Sequence, residues 1–445
     1  MTGPGTERAV VLGAGVAGLL AARVLAETHD EVLVVERDPD PGTGVQRRGV
    51  PQGRHIHGLL AAGQRVLDAL FPGLTRELAA RGAAVGDLQA DVRWFMGERP
   101  LRRAASGLTA VGVGRPLLER VIRDRVAGLP AVRLLPGRDI AALTATRDGS
   151  RVTGVRVLAR RPGRGHGAEE YLAAGLVVDA TGRGSRTPAW LAELGYPRPP
   201  EDRVRIGLVY ASRSYRLRRG ALGGDLAVLL PPVPGAPRGG AVARVEDGRA
   251  LVTLSGVLGE APPTDPEGFH AFARSLRSPD IERALEDAEP LGDPVPHRFP
   301  ASLRRRYERL PRLPEGLLAL GDSVCSFNPV YGQGMSVAAL EAEALRRLLA
   351  RGAPPAPRTW FRTVARAVDV PWELAAGADR AFPGVPGERT RRDRLLHAYV
   401  TRLQAAAAHD ARLGGAFLRV TGLVAPPWTL LHPAVAVRVL RGAPA

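Results

Sequence analysis

The chain contains one cysteine, Cys325, and no lysine, so all 62 of its basic residues are arginine. A single thiol rules out an internal disulfide, a thiolate metal cluster and two-cysteine redox exchange. The absence of lysine excludes P-loop phosphate binding, Schiff-base catalysis and lysine-dependent halogenation together. No apolar run reaches the about 20 residues of a membrane-spanning helix. The opening residues lack the basic-then-apolar layout of a secretion signal, and no serine sits in a nucleophile elbow. Aromatic residues make up 5% and are not interleaved with basic blocks, so the formal charge of +17 reads as biased arginine usage rather than a nucleic-acid surface. A soluble cytoplasmic protein with no nucleic-acid partner and no integral membrane contact is expected. Its 445 residues, 45% of them hydrophobic, are enough for several cores.

What is present is a pattern of glycines. Ala9 to Leu12 reads as a buried strand running into Gly13-Ala14-Gly15-Val16-Ala17-Gly18, then a helix, then a second strand ending in Glu36-Arg37. This is a dinucleotide fingerprint in its required context. Gly13 allows the turn, Gly15 lets the backbone approach a pyrophosphate, and Gly18 lets helix and strand pack closely. The helix N-terminus favours the phosphates, and Glu36 stands where a carboxylate can take the ribose hydroxyls. A second signal lies far away, in "GDSVCSFNPVYGQGM" from Gly321 to Met335. Asp322 there can bond a ribityl chain. Gly332-Gln333-Gly334-Met335 can offer backbone N–H groups to the negative charge of a reduced flavin. Two distant segments fit FAD better than NAD, whose site is usually completed within one Rossmann half.

Together these segments, with Asp179-Ala180-Thr181-Gly182 after a third apolar strand, resemble the FAD-dependent monooxygenases of the para-hydroxybenzoate hydroxylase fold. The stretches "RRGVPQGRHIHGLL" (Arg47 to Leu60) and "CSFNPVYGQGM" are most similar to an actinobacterial branch that includes the flavin epoxidases of polyether pathways. The resemblance implies an α/β fold with a Rossmann-like FAD domain, a mixed β-sheet substrate domain and a helical C-terminal region. It implies that Arg48 and the backbone from Val50 to Gln52 lie beside the isoalloxazine, that Arg115 reaches the FAD, and that the backbone of Ile140 meets the adenine. Phe327, Asn328, Pro329 and Tyr331 would line and position the oxygen-transfer site. The expected parts are residues 1–81, 100–196 and 300–349 for FAD, an 82–99 hairpin and a 197–299 sheet for substrate, and a helical region over 350–445. Within them, Val204 to Tyr210 and Ala250 to Gly256 read as strands and Trp360 to Val368 as a helix.

The implied chemistry is reaction of reduced flavin with O₂ to a C4a-hydroperoxide, which passes one oxygen to an apolar natural-product substrate. NADPH or NADH would supply electrons directly or through a separate flavin reductase. No acid–base group stands out in the expected substrate domain, which favours alkene epoxidation. Aromatic hydroxylation, or an FAD oxidase, dehydrogenase or reductase on the same fold, are the alternatives. His55 and His57 lack a third metal ligand; cavity lining and a plain structural role both stay open. His297 and His397 read as isolated, and Cys325 as an apolar filler.

Overall fold

The computed structural model describes residues 8–39, 49, 51–97, 99–161, 165–387 and 389–442. Arg48 and Val50, expected beside the flavin, lie outside these. The main sheet has five parallel strands in the order Leu317–Ala319, Leu176–Asp179, Arg8–Leu12, Glu31–Val35 and Val132–Leu135. Ala9 to Leu12 are fully buried, as are Val177, Val178, Leu318 and Ala319. Such continuous apolar runs mark strands covered on both faces. Their carboxyl ends bring Gly13, Glu36, Thr181 and Leu320 to one edge, the crevice in which open α/β sheets bind ligands.

Gly18 lies within the helix Val16–Leu25. A Cβ built there would stand 1.8 Å from the Gly13 carbonyl oxygen, so helix and turn touch through backbone. Gly63 plays the same part on the helix Ala61–Leu70, where a Cβ would come within 2.7 Å of Ser336 Cα.

The second sheet runs Glu289–Pro290, Leu208–Arg216, Ala250–Gly256, Arg238–Arg244, Ala227–Leu230 and Val92–Trp94, with Val295–Phe299 also pairing Leu208–Arg216. It is mixed, since Val92–Trp94 joins Ala227–Leu230 in parallel while its other pairs are antiparallel. Helices Pro266–Arg274 and Asp280–Leu285 supply Phe269, Phe272 and Ile281 to its core.

Three local expectations change. Residues 82–99 do not close on themselves as a hairpin: Ala84–Asp87 pairs with Thr109–Gly112, and Val92–Trp94 completes the second sheet. The strand expected over 204–210 is split at Gly207, whose φ of +62° turns the chain, and Glu201–Val204 pairs instead with Ser302–Arg305. The helix expected over 360–368 runs from Pro357 to Arg380, straight through Pro371. Trp360, Val364, Val368, Trp372, Ala375 and Ala376, spaced at three and four, are all buried, which offsets the about 3 kcal/mol an interior proline costs.

Gly18→Ala should lower the unfolding free energy in chemical denaturation by about 2 kcal/mol or more, because the new methyl can only displace backbone.

Candidate functional site

The fingerprint turn is held by two buried side chains. Glu36, 7% exposed, accepts from the Ala14 N–H at 2.9 Å and from the Asp38 N–H at 2.8 Å. Arg123, which sequence reasoning missed, donates to the Ala14 carbonyl at 3.1 Å from the helix Arg115–Ala127. The N-cap of the helix Val16–Leu25 is Gly15, with no side-chain cap and no acidic residue in the first turn. Its leading N–H groups therefore face outward without a side-chain acceptor, the arrangement that receives phosphate.

Open space lies where a cofactor would pass. A Cβ on Gly15 would meet nothing within 4 Å. One on Gly182 would first reach Asp322 Cβ at 4.0 Å, and one on Gly334 the Asp322 Oδ1 at 3.7 Å. Gly182 and Gly334 thus lie open beside Asp322, and with Gly15 and Glu36 these residues fit the FAD that the sequence implies. Ile140 sits at a bulge in the strand Arg138–Ala145, whose first residue donates to the Glu36 carbonyl at 2.9 Å. This sets its strand beside Glu36, the residue expected to take the adenosine ribose. Gln52, half-buried, accepts from the His55 N–H through its carbonyl.

Asp179 is fully buried at the end of its strand. It accepts from Thr181 N and Oγ1 at 2.9 and 2.6 Å, from Thr187 Oγ1 at 2.6 Å, from Ser323 Oγ at 3.3 Å, and from the Ser185 hydroxyl. Ser323 also receives the Gly182 N–H at 3.0 Å. Arg305 then donates to the carbonyls of Ser323 and Arg183, each at 2.9 Å. The loop after Asp179 and the loop after Leu320 are tied into one piece.

Beneath Gly321 lies Glu341, fully buried, accepting from the Gly321 N–H at 2.5 Å through Oε2 while Oε1 has no partner among the described residues. Burial, less the effect of that N–H bond, raises its carboxyl to about 8. It is protonated at neutral pH. Asp322 is also raised by burial, against the pull of Arg115 and Arg183.

The four residues expected to line the oxygen-transfer site divide. Phe327 and Asn328 are 5% and 2% exposed and packed into the core rather than presented to a cavity. Asn328 caps Val330 N–H and donates to Asp379 Oδ1 at 2.9 Å, and the Tyr331 hydroxyl donates to the same oxygen at 2.8 Å. Asp379, fully buried near the end of the helix Pro357–Arg380, therefore fixes this loop; burial lifts its carboxyl to about 6. Pro329 is exposed and Gly332, at φ +65°, makes the return turn. Gly332 packs so closely on Gly58 that a Cβ on Gly58 would lie 2.8 Å from Gly332 Cα. Gln333 and Met335 are buried, and Gln333 Oε1 has no partner among the described residues. Cys325 is 2% exposed and burial drives its thiol well above the ordinary range, which makes it the inert filler expected.

The segment His55 to Gly58 thus runs between the glycine loop and the second sheet. His55 Nδ1 is 2.8 Å from Ser212 Oγ, Ser212 Oγ is 2.6 Å from Thr253 Oγ1, and the Ile56 N–H donates to Thr253 Oγ1. The His55 ring stands edge-on to Tyr210 at 4.6 Å and lies 5.5 Å from the His297 ring. His297 is accordingly not isolated: it is the register partner of Tyr210 on the neighbouring strand. Sequence spacing could not pair residues 55, 210 and 297. Burial, then the nearby His297 and Arg54, lowers His55 to about 4. Burial and then Arg115 lower the half-buried His57 to about 3. Both imidazoles are neutral at neutral pH. Arg115 pairs with Glu119 at 2.7 Å, and its charge acts on both His57 and Asp322, placing it where the two segments meet. Arg183, directly after the third glycine motif, acts on both Asp322 and His297.

A folded carboxyl raised to about 8 costs stability as pH climbs from the ordinary glutamate value of about 4.3 to the folded one, because the unfolded chain ionises first. Wild-type protein should therefore lose thermal stability over that window, and Glu341→Gln should flatten the dependence while keeping the Gly321 bond. Melting curves across the pH range read this.

Comparisons with known proteins agree with this geometry. Residues 11–64 match the family model described as an NAD(P)-binding Rossmann-like domain. The chain is 39% identical over 347 residues to Protein Rv3254 of Mycobacterium tuberculosis, covering 77% of this chain and 73% of that protein. A 65-residue stretch, 14% of each chain, is 51% identical to kynurenine 3-monooxygenase of Salinispora tropica. Among solved structures, a flavoprotein/dehydrogenase from Cytophaga hutchinsonii superposes with a TM-score of 0.67 at 16% identity, over 97% of this chain and 96% of that one. The flavin-dependent brominase Bmp2 gives 0.65 at 16% identity over 97% of each chain. PqsL, a probable FAD-dependent monooxygenase from Pseudomonas aeruginosa, gives 0.58 at 18% over 92% and 99%. The chain belongs to the family of Protein Rv3254 and has the FAD-binding fold of the flavoprotein monooxygenases.

Proposed function

We propose that this protein is an FAD-dependent monooxygenase acting on a small, largely apolar organic substrate. The observation that carries the reading is the segment His55 to Gly58, packed on Gly332 of the cofactor loop and bonded to Ser212 and Thr253 of the second sheet. It brings the buried His55 against Tyr210 and His297 of the second sheet, close to the cofactor loop. FAD, once bound and reduced, would supply the activation of O₂, one atom of which is transferred. The protein's part is to hold the cofactor through Gly15, Glu36, Asp322 and Gly334, to place the substrate, and to keep water out. Electrons come from NADPH or NADH, directly or through a separate reductase.

These side chains bear on the substrate. The sequence, in which no acid–base group of the substrate domain stands out, favours alkene epoxidation, whereas Ser212, Thr253, Tyr210 and His297 gather around His55. In the arrangement that gives each hydroxyl hydrogen an acceptor, Thr253 donates to Ser212 and Ser212 to His55 Nδ1. The imidazole hydrogen then sits on Nε2, a buried atom without a partner among the described residues. Tyr210, 5% exposed, stands edge-on to the imidazole, and burial raises its pKa. Groups of this kind serve a ring that carries an oxygen, so hydroxylation of a phenol-like substrate is the better-supported reading. Epoxidation, which needs none of them, is the second.

Reconstituted protein given reduced nicotinamide and a panel of phenols and alkenes under ¹⁸O₂ should return labelled product. Unlabelled product would mean oxidase or dehydrogenase chemistry instead. His55→Ala should cut turnover of a phenol by about 100-fold, the scale of a lost proton-handling group, with FAD binding intact. An equal loss with an alkene would remove the phenol reading.

A further inference from the structure

Six of the nine large hydrophobic side chains exposed among the described residues fall between residues 395 and 440. They are Leu395, Leu396, Trp428, Leu431, Val437 and Leu440, with Trp428 70% and Leu395 73% exposed. Three short elements carry them: the helix Arg391–Ala407, the 3₁₀ turn Pro427–Leu431 and the helix Pro433–Arg441. These elements adjoin. The Tyr399 hydroxyl donates to the Leu430 carbonyl at 2.5 Å, and Arg402 donates to the Leu440 carbonyl at 2.8 Å. Leu395 lies one helical turn before Tyr399 on the same stripe, and Trp428 and Leu431, three apart in a 3₁₀ turn, share a side.

The charge around these tips has one sign. Residues 389–442 hold nine arginines and two acids, Asp393 and Asp410. Asp410 is taken by Arg438 at 2.7 Å, and Asp393 closes the capping box with Thr390. Arg391, Arg392 and Arg441 are exposed, with no carboxylate partner among the described residues. A second copy of this face would set arginine against arginine, which disfavours a symmetric dimer here. Apolar tips with an exposed tryptophan among basic residues match instead a surface with an acyl interior and anionic headgroups.

We propose that this C-terminal face docks on anionic lipid surfaces, Trp428 and the leucines entering the headgroup boundary and the arginines meeting phosphate. The attachment is peripheral, since no helix among the described residues is long and apolar enough to cross a membrane. It does not rest on the flavin reading.

The test is sedimentation of the FAD-loaded full chain with vesicles of phosphatidylcholine alone or mixed with phosphatidylglycerol. Binding to the mixed vesicles should be at least about ten-fold tighter and should weaken with salt. Arg391→Gln with Arg392→Gln should weaken it by about five-fold per charge. Brominated acyl chains should quench tryptophan emission, and Trp428→Ser should remove most of that quenching, because Trp190, Trp360 and Trp372 are at most 2% exposed and Trp94 is half-buried with its indole N–H on the Leu88 carbonyl. Flavin loading of each variant, unchanged, shows that the fold is kept. Equal or absent binding to the two vesicle types overturns the proposal, as does full binding by both variants. Concentration-dependent shielding of Trp428 without lipid would assign the face to a second copy, and shielding by polyglutamate without vesicle binding would assign it to an acidic protein.

Discussion

A single buried carboxylate organises the cofactor end of this molecule. Asp179 ends the strand that lies between the fingerprint strand and the strand leading to Gly321, and it is surrounded by hydroxyl and N–H donors rather than by a cation. Charge buried in this way holds its neighbours in fixed positions, because each donor lost would leave an uncompensated anion. The turn at Gly13 depends on the result: a side chain there would come within 2.7 Å of the Ala180 carbonyl oxygen. Three loops from three parts of the chain thus share one set of distances.

The arginine-only composition has a structural use at this point. Arg305 bridges two loop carbonyls with two of its nitrogens, and Arg183 reaches the Ala301 carbonyl and Ser326 with one. A lysine ammonium is a point charge and lacks a fixed fork for two carbonyls at once. Part of the arginine charge is therefore committed to loop carbonyls inside the protein.

How much could be read beforehand follows from the range of each interaction. The glycine fingerprint, Glu36, the loop from Gly321 to Met335 and the strand Ala250–Gly256 are local patterns, and their elements stand where the sequence places them. Arg123, Arg305 and Asp379 act across 18 to 122 residues, on carbonyls, an amide and a hydroxyl that no spacing rule marks. The triad of rings from residues 55, 210 and 297 needs strand register to exist. The helix through Pro371 was hidden because a propensity rule was outweighed by a buried stripe, which is the usual way tertiary packing overrides local preference.

The long C-terminal helix carries a consequence of its own. Trp360 holds the Ala319 carbonyl at the edge of the parallel sheet, Asp369 takes Arg304 at 2.6 Å, and Asp379 takes Asn328 and Tyr331. From residue 360 to residue 379 the helix spans about 28 Å at about 1.5 Å per residue. Segments before and after it can be exchanged among relatives only if these three grips travel as a set. A chimera joined beyond residue 380 inherits an intact cofactor loop, whereas one joined between Asn328 and Asp379 separates the two halves of a single fitting.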